Sequence, residues 1–404
     1  MDERTAPTPA DAANQRMVDR LIAEGALWSV PVIRAFRQTP RHRFLDRVFL
    51  FDRRQGGWQE VDTTAPRGFA LRIIYSDRAL VTHLSPPDRD GQRWPLSSSS
   101  QPALMAEMLE DLDVQPGQRV LEIGAGTGYN AALLGQLVGA AGRVTSVEVD
   151  RGTLTEARER LRAFRDRPVT LAHGDGRQGE PAGAPYDRIM VTAATPDLEP
   201  AWLEQLAPGG VLLAPVSLAP GLAYLVRGTP SAGGLAGRLT RPAYFMPLRA
   251  EGSVAAEERP EPDRPLGDGQ TLAAPWAHWF GRTRLRRSWL TFSHALAFFG
   301  WLGGLAVSHH STPQGVGFFG VFTPDSRRGC WFGPQEWRVF GGARGRNLAW
   351  RLWRAFLDAG GPRPTEFAVH IAPHGSAGTG TRTRLPRYDW FWELQAERER
   401  PVSY

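Results

Sequence analysis

The run Glu122-Ile123-Gly124-Ala125-Gly126-Thr127-Gly128 carries the densest chemical signal in the chain. It follows a short apolar stretch and precedes a helical pattern, so its glycines fall in a strand-to-helix loop. Glycine there lets the backbone turn tightly and come close to a ligand. The spacing Gly-x-Gly-x-Gly is tighter than the Gly-x-Gly-x-x-Gly of dinucleotide-binding loops. Two carboxylates follow. Glu148 ends the next apolar run, twenty residues after Gly128, where a carboxylate can accept both hydroxyls of a ribose. Asp175, in Gly174-Asp175-Gly176, ends a third run. A carboxylate there can accept a hydrogen bond from an adenine amino group, and the glycines leave room for the ring. Each feature alone has an ordinary reading, since glycine loops are turns and acids at strand ends cap helices. On three successive strands they read together as a site for an adenosine-containing ligand. Its candidate residues are Glu122, Gly124, Gly126, Thr127, Gly128, Glu148, Asp175 and Gly176.

The elements that must position these groups alternate. A helix over 101–112 leads to the strand RVLEI, a helix NAALLGQLVGA, the strand RVTSVEVD and a helix LTEARERLRAF. The strands PVTLAHGDG, YDRIMVTAA and GGVLLAPVS follow. Strands separated by helices of 10–15 residues imply right-handed βαβ units and a doubly wound, mainly parallel α/β sheet. Ligands of such sheets sit at the carboxyl ends of the strands, where all three motifs fall. A tight glycine loop in that setting is the class I (Rossmann-like) methyltransferase form. It faces the amino-acid moiety of S-adenosyl-L-methionine, which has no pyrophosphate to cradle.

Flanking regions differ in composition. Residues 1–16 read as a polar, Pro/Ala-rich tail. Residues 17 to about 51 read as helical, with Pro40 stopping the second helix, and 52–70 as a loop or hairpin. Residues 251–270 are acidic and Pro-rich, a linker. Residues 271–404 hold ten of the fourteen tryptophans and read as a separate C-terminal α+β domain. Its expected strands are VGFFGVF, EWRVFGG, EFAVHIAP and YDWFWELQ. Its expected helix, NLAWRLWRAFLDAG, places Leu348, Leu352, Trp353, Phe356 and Leu357 on one face and ends at Gly360.

Composition narrows the class. The 404 residues are 42% hydrophobic and 22% charged, which are globular values. All 48 basic residues are arginine and the net charge is +6. They are scattered among acids rather than clustered, so nucleic-acid binding is not expected. No run of about 18 apolar residues predicts a membrane helix, and the N-terminus lacks the apolar core of a signal peptide. The single Cys330 supports neither an intramolecular disulfide nor a cysteine-based metal site. A cytoplasmic location is expected, and no metal.

Residues 17–250 resemble the protein-L-isoaspartate O-methyltransferase family. MVDRLIAEGAL and AFRQTPRHRFL are similar to its N-terminal helices, and YSDRAL to its tyrosine-acidic-Arg segment. SSQPALMAEML is similar to its Ser-Gln-Pro loop. RVLEIGAGTGYNAALL, SVEVD, GDG, APYDRIMVTAA and LAPGGVLLAPV continue in order. The resemblance implies that Ser100 is the active-site serine and that Ser98 lies at the cofactor. The other reading of Ser97 to Ser100 is a linker or helix cap. The family's Gly-His-Gly-Gln run is replaced by Gln92-Arg93-Trp94-Pro95-Leu96-Ser97, and VTHLSPPDRDGQRW is longer than its counterpart.

The C-terminal region resembles that of homologues associated with ribosomally made, modified peptides, which methylate an aspartate side chain. The implied reaction is O-methylation of an aspartyl carboxylate in a peptide, the ester then collapsing to a succinimide that persists or opens to isoaspartate. The C-terminal domain would recognise the peptide or make a dimer. Repair of isoaspartyl residues in damaged proteins, a small-molecule methyltransferase and a non-catalytic binding protein remain as alternatives. A carboxylate with an ordinary pKa of about 4 is already ionised at neutral pH, so no general base is required. His83, His173, His309 and His310 are expected to be structural or at the surface.

Overall fold

A computed structural model describes residues 8–52, 54–250, 269–275, 286–311, 317–373, 383–386 and 390–396. Contacts divide the chain into two units. The first holds residues up to Ala214, Arg227–Pro230 and Phe245–Glu258; the second holds Pro215–Val226, Ser231–Tyr244 and the chain from Arg259.

The first unit opens with α1 (Pro9–Ala23) and α2 (Val30–Arg37). Helix α1 begins inside the stretch expected to be a tail. Thr8 and Asp11 form a reciprocal cap there, which satisfies backbone donors left open at a helix start. The expected helical stretch to Phe51 also needs correction. It ends in a strand, β1 (Arg47–Asp52), which forms a hairpin with β2 (Gly57–Asp62), Phe51 opposite Trp58. Helix α3 (Gly68–Ile74), β3 (Leu80–Leu84) and β4 (Pro95–Ser99) follow. The antiparallel order is β2-β1-β3-β4.

Helix α4 (Pro102–Leu112) leads into the alternating region: β5 (Arg119–Ile123), α5 (Tyr129–Val138), β6 (Arg143–Glu148), α6 (Arg151–Leu161), β7 (Val169–His173), β8 (Tyr186–Val191), α7 (Pro200–Glu204) and β9 (Leu206–Ala219). The parallel order is β7-β6-β5-β8-β9. Its direction reverses between β5 and β8, the switch point beside which such sheets hold ligands. Val120, Leu121, Ile123, Val144, Ile189, Leu212 and Leu213 are buried, so these strands read as near-continuous apolar runs. Leu133 and Leu134 of α5 and Met105, Leu109 and Leu112 of α4 are buried with them.

The second unit takes the end of β9, the two ends of β10 (Leu222–Ser231), whose Arg227–Pro230 belong to the first unit, and β11 (Gly234–Pro242); the sequence pattern assigns neither β10 nor β11. Its boundary therefore falls earlier than residue 271. The expected linker lies outside the described residues except for its last two positions. Strand β12 (Gln270–Ala273), α8 (Arg286–Leu302), β13 (Ala306–Ser311), β14 (Gly317–Phe322), β15 (Gly329–Phe332), β16 (Glu336–Phe340), α9 (Gly342–Asp358), β17 (Phe367–Pro373), β18 (Thr383–Pro386) and β19 (Trp390–Ala396) complete it. All four expected strands and the expected helix form. One antiparallel sheet runs β12-β16-β15-β14-β13, and β11 pairs with β17, which pairs with β19.

Trp331, Trp337, Phe319 and Phe322 are buried there, as core aromatics. On α9, Leu352, Trp353 and Phe356 are buried, whereas Leu357 is 40% exposed, so the apolar face is narrower than expected. Trp276 and Trp279 lie outside the described residues, as do the side chains of Trp289, Trp390 and Trp392. Among the described residues no helix is long and apolar enough to cross a membrane.

Candidate functional site

The glycine loop leaves β5 and enters α5. Gly124, Gly126 and Gly128 all have positive φ, at 95°, 51° and 82°. L-residues with side chains rarely adopt that region. A Cβ on Gly124 would stand 2.8 Å from Thr192 Oγ1, which donates to the carbonyls of Ile123 and Gly124. Thr192 follows β8, so the two strands flanking the switch point are joined at their carboxyl ends. A Cβ on Gly126 would stand 3.5 Å from the Ser98 carbonyl. The serine strand and the glycine loop are therefore neighbours.

Glu148 is buried at the end of β6. One carboxylate oxygen accepts the Gly126 N–H at 2.9 Å, and the other accepts the Asp150 N–H at 3.1 Å. A carboxylate offers about four acceptor positions, so both oxygens keep capacity for a vicinal diol. Asp175 follows β7. Burial raises its pKa, but its hydrogen bonds and ion pair with Arg177 outweigh that and hold it below the usual carboxylate range. Any donor reaching this carboxylate would share it with Arg177, a residue with no motif in the sequence to mark it. The Gly176 carbonyl accepts from Trp202 Nε1 at 2.8 Å, which fixes the turn after Asp175.

Two candidates lie behind the loop rather than on its open side. Glu122 is fully buried and its oxygens accept from Asn130 Nδ2 and Ser146 Oγ. It ties β5 to α5 and β6. Thr127 is buried, and its hydroxyl accepts the Tyr129 N–H at 3.4 Å. Both shape the loop from inside.

Burial pushes the Glu122 carboxyl up to about 7. A folded pKa above the exposed value of 4.5 gives stability that is complete below that value and is lost as pH rises through about 7. The Glu122→Gln variant should therefore lose less melting temperature between about pH 5 and pH 8 than the parent. Equal losses in the two proteins would show that Glu122 is not the titrating group.

Serine strand β4 alternates, with Ser97 and Ser99 buried and Ser98 and Ser100 half-buried. Helix α4 starts at Pro102 with Gln101 as its cap residue and no side-chain cap bond from it. The capping work is done by Asp77, which accepts from Gln101 Nε2 and from the Ala103 N–H, each at 2.8 Å. Ser100 is thus not the helix cap, and its hydroxyl has no hydrogen-bond partner among the described residues. On the other side of the turn, fully buried Arg41 donates to the carbonyls of Ser99 and Ser100 at 3.1 and 2.8 Å. Burial lowers its pKa to about 10, so it stays cationic at neutral pH. Arg249 Nη2 donates to the Leu96 carbonyl at 3.0 Å. Backbone bonds of Met246 and Leu248 with Ala194 return its segment to the end of β8.

Arg41, Asp77, Arg177, Thr192 and Arg249 were not among the residues singled out from sequence. His83, His173, His309 and His310 make none of these contacts. His83 Nε2 lies 3.2 Å from Glu156 Oε1, His173 Nε2 lies 3.0 Å from the Val149 carbonyl, and His309 and His310 belong to β13.

Comparison with known proteins follows the same outline. Residues 68–251 match the family described as protein-L-isoaspartate(D-aspartate) O-methyltransferase. The protein-L-isoaspartate O-methyltransferase of Methanopyrus kandleri is 39% identical over 205 residues, which is 50% of this chain and 76% of that protein. That of Ignicoccus hospitalis is 32% identical over 237 residues, 59% of this chain and 97% of that protein. A solved structure of a protein-L-isoaspartate O-methyltransferase superposes with a TM-score of 0.52 at 22% identity. It covers 95% of this chain and 100% of its own, so the likeness in fold extends into the C-terminal region.

Proposed function

The chain belongs to the protein-L-isoaspartate(D-aspartate) O-methyltransferase family, and from that premise we propose that it methylates the side-chain carboxylate of an aspartyl or isoaspartyl residue. It is an S-adenosyl-L-methionine-dependent methyltransferase with the class I fold of that family. The glycine loop, Glu148 and Asp175 would hold the cofactor, with Ser98 beside the loop. When bound, the cofactor supplies a sulfonium methyl group open to in-line attack.

The substrate carboxylate arrives ionised, so the protein has no proton to remove. Its task is positioning, which can supply several kcal/mol of a barrier when the reacting atoms are held in line. One observation carries the reading. Ser100 sits on a turn clamped by Arg41 and Asp77, with its hydroxyl unspent, next to the strand that meets Gly126. The hydroxyl donates to the carboxylate and fixes which oxygen attacks. Once the ester forms, the following backbone nitrogen attacks its carbonyl and expels methanol, giving a succinimide.

Two narrower readings divide on the substrate. The replaced segment Gln92 to Ser97 and the longer loop before it favour a dedicated peptide, in modified-peptide biosynthesis. The named relatives, and the solved structure that spans the C-terminal region too, favour repair of isoaspartyl residues in many proteins. In the first reading the C-terminal region recognises the peptide or makes a dimer. Both readings place the protein in the cytoplasm.

Incubation with S-adenosyl-L-methionine and two peptide sets, followed by mass, separates them. Methylation of generic isoaspartyl peptides means repair. Gain of one methyl mass and then loss of methanol, seen only on an aspartyl precursor, means a dedicated modifier. Transfer to neither set, but to a small carboxylic acid, would end the peptide reading. On whichever peptide reacts, Ser100→Ala should lower kcat/KM by about tenfold to a hundredfold, the worth of one hydrogen bond to a charged group. Full activity in that variant would remove Ser100 from the mechanism.

A further inference from the structure

We infer that Arg41 is a positioning residue which presets the serine turn, and the electric field at that turn, for an anionic substrate group. The inference rests on the proposed carboxyl-methylation reading and adds a residue to it. Among the described residues Arg41 makes six hydrogen bonds that join three segments of the chain. Its Nη1 donates to the carbonyls of Ile74 and Ser76 at 2.8 and 3.3 Å. Its Nη2 donates to the carbonyls of Arg78, Ser99 and Ser100 at 3.0, 3.1 and 2.8 Å. Its Nε donates to Ser99 Oγ at 3.2 Å. Lysine has neither the fork nor the reach to serve so many acceptors at once.

The orientation of the turn follows from these bonds. A peptide unit is planar and trans, so a carbonyl turned onto the guanidinium turns the N–H of the same unit the opposite way. The units Ser99–Ser100 and Ser100–Gln101 both face Arg41 with their carbonyls. Their N–H groups therefore lie on the side away from it. A single buried side chain fixes two successive amides beside the Ser100 hydroxyl.

Charge gives the second half of the argument. Fully buried arginines are ordinarily paired with a carboxylate. All six acceptors of Arg41 are neutral oxygens. Asp77 acts on it electrostatically, but the carboxylate of Asp77 is bound to Gln101 and Ala103. A purely structural clasp needs donors and no net charge. A buried cation with no carboxylate bonded to it among the described residues, directly behind the serine turn, places a positive potential where the proposed substrate carries its negative charge. Salt screens such a buried source far less than it screens a surface arginine.

Arg41→Gln and Arg41→Lys test this on the full chain, with the carboxylate peptide that the wild type methylates and its neutral asparaginyl analogue as a competitor. Melting temperature and S-adenosylhomocysteine affinity are recorded beside kcat, KM and Ki. For Arg41→Gln we expect cofactor affinity within about twofold of wild type, KM raised about tenfold, and the preference for carboxylate over amide reduced about tenfold. Arg41→Lys should recover part of that preference, since it restores charge without the fork. Should Arg41→Gln fail to fold, the wild-type preference is measured from low salt to about 0.5 M, a range that suppresses surface charges. Its persistence supports the inference, and its collapse overturns it. Variants that lose cofactor binding and turnover in proportion to folded fraction, with an unchanged carboxylate preference, also overturn it. Absence of methyl transfer by the wild type to any peptide overturns the functional reading first, and this inference with it.

Discussion

Replacing Glu148 with alanine should weaken S-adenosyl-L-methionine binding by about a hundredfold. Its carboxylate accepts the N–H groups of Gly126 and Asp150, and its remaining lone pairs are the ones available to a ribose diol. Truncation leaves two backbone donors short of an acceptor and removes the ligand contacts as well. Hydrogen bonds to a charged group contribute about 1.5–3 kcal/mol each. Losing the equivalent of about 3 kcal/mol is a factor of about a hundred in affinity. Titration calorimetry with S-adenosylhomocysteine measures it directly. Glu148→Gln should fall between the two proteins, because one amide oxygen can still accept. An alanine variant that binds within about threefold of the parent would take Glu148 out of the cofactor site.

Gly124→Ala should be comparably damaging for a different reason. Its φ of 95° disfavours any side chain, by about 1–2 kcal/mol. The new Cβ would also stand 2.8 Å from Thr192 Oγ1. Relief of that contact means displacing a hydroxyl that donates to the carbonyls of Ile123 and Gly124, at about another 1–2 kcal/mol. Together these predict a fall in kcat/KM of roughly one to three orders of magnitude. Adding Thr192→Ala removes the collision but leaves the backbone strain, so the double variant should recover only part of the loss. Full recovery would show that crowding alone was at fault, and near-normal activity of the single variant would show that the loop tolerates a side chain.

Much of the glycine-loop region was legible in the sequence because the Gly126–Glu148 contact follows one strand-helix period, whereas the Thr192 bonds to Ile123 and Gly124 span 69 and 68 residues and were not. The glycine loop, Glu148 and Asp175 fall where the alternating pattern puts them. Position next to the glycines makes Glu122 a candidate, and sequence reports nothing more about it. Its partners Asn130 and Ser146 are visible only once α5 and β6 are packed. The clamp on the serine turn was hidden for the same reason. Arg41 reaches residues 33 to 59 positions away, and Arg249 reaches Leu96 across 153. No local spacing encodes such contacts.

Two segments were misread through local signals that point both ways. Thr8 to Asp11 carries a helix-start pair inside a Pro/Ala-rich stretch that otherwise resembles a tail. Arg47–Asp52 is a short apolar run, for which periodicity alone does not separate strand from helix.

The clasp made by Arg41 also has a meaning for the order in which the molecule assembles. The bond between Gly126 and Glu148 closes over 22 residues, within one βαβ unit. Arg41 must gather the turn at Ile74 to Arg78 and the serines at 99 and 100, over separations up to 59. Contacts of low sequence separation form early, because less chain entropy is lost before they are rewarded. The closure of Gly126 onto Glu148 is thus expected earlier in folding than the clamping of the serine turn, while the Thr192 bonds that hold Ile123 and Gly124, over 69 and 68 residues, belong with the later contacts. A chain caught between the two stages would have Gly126 closed onto Glu148 without yet having its serine turn clamped by Arg41.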